Sequence, residues 1–141
     1  MPEKKTLKAA QKDAEEGKAP TTQAGEFVRE EIEHIREGKH GARSAKQAIA
    51  IGLSKARRAG VKLPPPKKGR ASEATRVKAE RDNEKGQKKP NAKPSPKRSR
   101  ATEVALKREG RSAASPKALS KQAKQAANAR KNHGKVTASK P

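Results

Sequence analysis

The chain has 141 residues, 37 Lys or Arg against 15 Asp or Glu, and a formal net charge of +22. Leu, Ile, Val and Phe together number 15, about 11% of the chain, well below the roughly 20% under which a highly charged chain is expected to stay disordered. This excludes a conventional core of large side chains, and the lack of cysteine excludes disulfides and thiolate metal sites.

Charge is polarised along the chain: residues 1–38 carry seven basic and nine acidic side chains, and Lys39 to Pro141 carry thirty and six. Composition predicts a mostly disordered chain with a small all-α segment. Residues 1–24 read as a flexible N-terminal segment around Leu7, in which a short helix has nothing to hold it. Residues 25–63 hold nine of the fifteen large apolar residues and are predicted to fold as a helical hairpin at about 25–60.

The first hairpin helix is predicted over Glu26–Glu37, since Val28, Ile32 and Ile35 stand at i, i+4 and i+7 beside Phe27, with Gly38 as its stop. The second starts at Ser44, which with Gln47 three residues on forms a capping box, and ends at Gly60. On it Ala45, Ala48, Ile49, Gly52, Leu53, Ala56 and Ala59 share one face, while Lys46, Ser54, Lys55, Arg57 and Arg58 lie outside it. Gly52 reads as a packing glycine, because an interior helical glycine costs about 1 kcal/mol against alanine unless a partner backbone comes close.

Pro64-Pro65-Pro66 cannot continue a helix and reads as a stiff spacer. Beyond it, residues 64–141 are predicted to be a disordered polycationic tail with transient helices at Ser72–Asn83 and Thr102–Glu109. The strongest tail candidate is a helix at 116–132, with Ser115 as N-cap, Pro116 at the first position and Gly134 beyond the end. Ser95-Pro96-Lys97-Arg98 and Ser115-Pro116-Lys117 resemble the Ser-Pro-Lys-Lys units of linker-histone and histone-like tails, a resemblance that implies turns against AT-rich minor grooves.

Function is read from the same charges. A chain at +22 repels itself unless it meets a polyanion, and counterions released from phosphates supply binding free energy. The candidate nucleic-acid-binding residues are Lys46, Lys55, Arg57, Arg58, Lys62, Lys67, Lys68, Arg70, Lys88, Lys89, Lys97, Arg98, Arg100, Lys117, Lys121, Lys124, Arg130 and Lys131. Phe27 is the single aromatic among Phe, Tyr and Trp and belongs to the predicted core, so base stacking is not expected and duplex DNA is favoured over RNA.

The expected protein is a non-enzymatic, largely sequence-nonspecific, nucleoid or histone-like DNA-binding protein. The alternatives are an RNA- or ribosome-associated basic protein and a protein-interaction helical module with a solubilising tail. No catalytic, cofactor or metal residues are predicted, and His34 and His40, although near each other across the turn, lack a third ligand of suitable spacing. No apolar run reaches the roughly 18 residues of a membrane span, and the N-terminus lacks the apolar stretch of a signal peptide, so a cytoplasmic, nucleoid-associated location is expected with no membrane partner and no small-molecule substrate.

The stretch Lys46-Gln47-Ala48-Ile49-Ala50-Ile51-Gly52-Leu53-Ser54-Lys55-Ala56 resembles a small, basic bacterial domain family of unassigned function whose recurring core is close to K-Q-A-I-A-I-x-L-S-x-A. The resemblance covers about 40 residues, including the preceding Glu26–Phe27 helix. It implies a bacterial cytoplasmic protein and carries over no functional residues.

Overall fold

Local chemistry sets the helix ends. The computed structural model describes residues 2–69, 71–90 and 95–138, without the side chains of 132–138. It contains helices α1 (Lys4–Glu15), α2 (Pro20–Arg36), α3 (Ala45–Arg58), α4 (Glu73–Lys88), α5 (Pro96–Lys107) and α6 (Pro116–Ala138), with a 3-10 turn at Ser112–Ala114. Four serines cap four of these starts: the hydroxyls of Ser44, Ser72, Ser95 and Ser115 accept from the N–H groups of Gln47, Thr75, Arg98 and Ala118 at 3.1–3.2 Å. The reciprocal arm of the capping box is present but shifted by one residue, with the Gln47 side chain accepting from the Arg43 N–H at 2.6 Å.

Helices α1, α2 and α3 stop alike. Gly17, Gly38 and Gly60 follow their C-caps at φ of 74°, 80° and 105°, a left-handed conformation that glycine alone adopts without strain. In each, two N–H groups reach back across the last turn, as Gly38 N–H to the Ile35 carbonyl and Lys39 N–H to the His34 carbonyl. These glycines turn the chain so that α2 packs on both α1 and α3, and α3 packs also on α4.

The expectation of a mostly disordered chain is overturned: the chain is all-α, with helices through most of the segment read as a tail. The reason lies in which residues make the core. Among the described residues, nine of the thirteen buried hydrophobic ones are alanines, so a count restricted to Leu, Ile, Val and Phe overlooks most of it. Alanine loses no side-chain entropy on burial and is the best helix former, and its small size lets helix backbones come close. Ala10, Ala24, Phe27, Ala56, Val61 and Leu63 form one cluster, and Ile35, Ala42, Ala48, Ala113 and Ala114 form a second.

Residues 1–24 are held after all. Leu7 and Ala10 of α1 pack into the Phe27 cluster, and the buried carboxylate of Glu30 on α2 accepts from the Glu3 N–H at 2.6 Å and the Thr6 hydroxyl at 3.3 Å. The first hairpin helix begins at Pro20, six residues before Glu26, because Pro20 suits the first turn and Ala24 is core.

Polar links fix the later segments. Ser54 donates to Asp82 at 2.6 Å, and Gln87 donates to the Gly60 carbonyl at 3.2 Å, docking α4 on α3. The three prolines form a strap between them, as Arg57 and Arg76 donate to the carbonyls of Pro64 and Pro66 at 3.1 and 3.2 Å. The 3-10 turn is anchored by Arg36 donating to the Ala114 carbonyl at 3.0 Å, and the preceding loop by the N–H groups of Gly41 and Ala42 on the carbonyls of Leu106 and Gly110. Helix α6 continues past Gly134 to Ala138, since a glycine inside a helix costs about 1 kcal/mol without ending it.

Candidate nucleic-acid interface

Helix α3 was read as apolar on one face and basic on the other, but it is covered on both sides. Gly52 meets α2 so closely that a Cβ there would lie 2.6 Å from the Val28 Cα. On the α4 side Arg57 is only 7% exposed; its guanidinium donates to the Leu63 carbonyl at 3.2 Å and to Pro64. Burial pushes its pKa down from the usual arginine value, and the nearby Asp82 charge works in the opposite direction. Arg57 is thus a structural cation.

Lys55 is also committed, its ammonium bonded to the fully buried Glu31 carboxylate. Arg58 is half-buried, with Nε on the Ser54 carbonyl at 3.4 Å. Lys88 is exposed and pairs along α4 with Glu84 at 2.7 Å, which raises the lysine pKa and lowers that of the glutamate. Lys46, Lys62, Lys67, Lys68, Lys89, Lys97, Arg98, Arg100, Lys117, Lys121, Lys124, Arg130 and Lys131 are exposed. Arg70 lies outside the described residues.

The most ordered arrangement among these is on α6. Lys117, Lys121, Lys124 and Lys131 fall within an arc of about 80° at 100° per residue, along roughly 21 Å of helix. Ala118, Leu119, Gln122 and Ala126, the half-buried residues among those of the helix whose side chains are described, lie on the opposite side, so the stripe faces outward because the helix docks by its alanines. Arg130 is about 140° from the stripe's centre. No Asp or Glu occurs anywhere in α6, so no carboxylate on the helix itself competes for these ammonium groups.

The two Ser-Pro-Lys units have a local role: each supplies a serine N-cap and a proline at the first helical position, starting α5 and α6.

A second cluster escaped the sequence reading. Glu31, His34 and His40 bring one ligating atom each to within 4.8 Å of one another, and Glu3, Glu30 and His34 do the same. Glu3, Glu30 and Glu31 are the members not singled out from the sequence; Glu31 and His34 stand three residues apart on one face of α2, and that i, i+3 spacing beside a histidine in the next turn is the signal the sequence offers.

Residues 8–68 match the model of a family described as a family of unknown function (DUF6496). The resemblance carried by Lys46–Ala56 is therefore shown, and it is longer than expected, running from α1 through the proline strap to Lys68. No curated protein and no solved structure matches the chain. No helix among the described residues is long and apolar enough to cross a membrane.

Proposed function

We propose that the protein is a non-enzymatic, nucleoid-type DNA-binding protein that neutralises duplex phosphates with little sequence preference. The observation that carries this reading is the outward lysine stripe of α6, on a helix without a carboxylate, in a chain of net charge +22. Four ammonium groups over about 21 Å match the length of roughly six base-pair steps of a duplex backbone. Exposed cations on the loops and on α5 add to the same field. Phe27 is 1% exposed, which supports backbone contact over the base stacking that single-strand and loop recognition relies on.

The test is fluorescence anisotropy of the full chain with a random duplex across a salt series. Log affinity should fall linearly with log salt, at about −0.9 for each phosphate neutralised. Replacing Lys117, Lys121, Lys124 and Lys131 together by Gln should reduce the steepness of that line by about 3 to 4. An unchanged slope in the variant removes α6 as the interface, and absence of binding at low salt removes the function. Preferential binding to ribosomal RNA over duplex DNA at one salt concentration would transfer the reading to an RNA partner.

A further inference from the structure

We propose that Glu31, His34 and His40 form a binding site for a divalent transition-metal ion of the zinc class. Two imidazoles and a carboxylate are the donor set such ions take, whereas magnesium and calcium prefer oxygen ligands throughout. The three donor atoms already lie within 4.8 Å of one another. Glu31 and His34 share one face of α2, and His40 arrives from the turn after the Gly38 stop, so the fold itself closes the site.

Hydrogen bonding at the two rings points the same way. His40 Nδ1 lies 2.9 Å from the Gly41 carbonyl; a carbonyl only accepts, so Nδ1 carries a proton and Nε2 of the neutral ring carries a lone pair. That lone pair faces Glu31 Oε2 at 3.1 Å, and Glu31 Oε2 accepts no hydrogen bond although the residue is 0% exposed. Two such atoms set together are bridged either by a proton, which makes a plain ion pair, or by a metal ion, and the third donor on His34 within 4.8 Å favours the ion. Their separation suits neighbouring ligands of one ion with bonds of about 2.0–2.2 Å.

His34 Nε2 lies 3.0 Å from Glu3 Oε1, the carboxylate support that orients a ligating imidazole through its other nitrogen. Glu30, 2% exposed, belongs to the overlapping group with Glu3 and His34, and its Oε2 has no hydrogen-bond partner. Lys55 occupies the other oxygen of Glu31 and leaves Oε2 to the ion. Glu31 pairs with Lys55, and Glu3 with the exposed Lys5 and Lys39 at 3.6 and 3.5 Å, so three ammonium groups already stand around the three carboxylates and a bound ion has to hold its place by its bonds to the donors, without a surplus of negative charge.

The experiment is calorimetric titration of the chelator-treated full chain with zinc chloride, in the absence of nucleic acid so that it is independent of the DNA-binding reading. One ion per chain is expected, with a cobalt(II) visible spectrum typical of tetrahedral coordination. His34→Gln and His40→Gln, each checked for helix content by circular dichroism, should weaken binding by more than about tenfold, and His133→Gln should not change it. In the unmodified chain, zinc should shift the ring nitrogen resonances of His34 and His40, a readout that does not depend on any variant folding. No zinc binding, an affinity in both variants equal to that of the unmodified chain, or unmoved ring resonances would overturn the proposal. So would a stability that responds to pH alone and not to zinc, since His40 and Glu31 would then be a plain ion pair.

Discussion

Gly52 is a position of close backbone approach between α3 and α2, and its substitution sets two effects against each other. Alanine would favour the helix by about 1 kcal/mol, but its Cβ would come within 2.6 Å of the Val28 Cα and 2.9 Å of the Val28 N. Backbone cannot move aside as a flexible side-chain end can, so overpacking of about 1–3 kcal/mol should prevail. Gly52→Ala is therefore expected to lower the urea midpoint, and a raised midpoint would show that the crossing is looser than described. Arg57 gives a second prediction, because it serves two backbone carbonyls and the Asp82 charge from a buried position. Arg57→Met keeps the stem's packing but leaves those acceptors unsatisfied, which should destabilise the chain by about 2–4 kcal/mol. In the variant fraction that stays folded, duplex affinity should be unchanged, since Arg57 is buried and its guanidinium is committed to the Leu63 and Pro64 carbonyls; a large loss of affinity without loss of stability would return Arg57 to the interface.

Helix α4 shows what an element needs beyond its own propensity. Its buried residues Ala79, Asp82 and Gly86 share one face, and a Cβ on Gly86 would overlap the Arg57 carbonyl and lie 3.1 Å from the Gly60 N. Gly86→Ala should make the isolated helix more helical and the protein less stable, by more than about 1 kcal/mol. Limited proteolysis between Lys67 and Glu73 should accelerate in that variant, and unaltered cleavage would mean that α4 is not docked through this glycine. The start of this helix was legible in the sequence, as were the Ser44 box, the Gly38 and Gly60 stops and the helix at Pro116, because each signal sits within about four residues of its effect. The docking was not legible. It rests on alanine and glycine contacts and on polar links such as Ser54 to Asp82 and Arg36 to Ala114, which join residues 28 and 78 apart in sequence. The same distance hid part of the candidate sites: Arg57 and Lys55 look exposed on a wheel drawn for α3 alone, and become structural only when α4, the proline strap and Glu31 are in place.

At the scale of the whole molecule, a core built largely of alanine must hold together a chain of net charge +22. Self-repulsion among exposed cations acts against the compact state, and salt shortens its range, with a Debye length of about 30 Å at 0.01 M and about 10 Å at 0.1 M. The free protein should therefore melt at a higher temperature as sodium chloride is raised from about 10 mM to 100 mM. Bound to a duplex it should behave in the opposite way. Excess duplex at low salt stabilises the folded chain by mass action, about 2.7 kcal/mol when its concentration is a hundredfold above Kd. Raising salt tenfold across a four-lysine contact lowers affinity by roughly 10³- to 10⁴-fold, enough to cancel that stabilisation. Melting curves with and without duplex should thus start far apart at low salt and converge as salt rises, the free curve climbing while the bound one falls. Curves that stay parallel would mean that the duplex is held by contacts other than phosphate neutralisation. A free protein whose midpoint falls with salt would mean that its ion pairs, such as those of Glu31 with Lys55 and Asp13 with Lys18, outweigh the repulsion among its surplus cations.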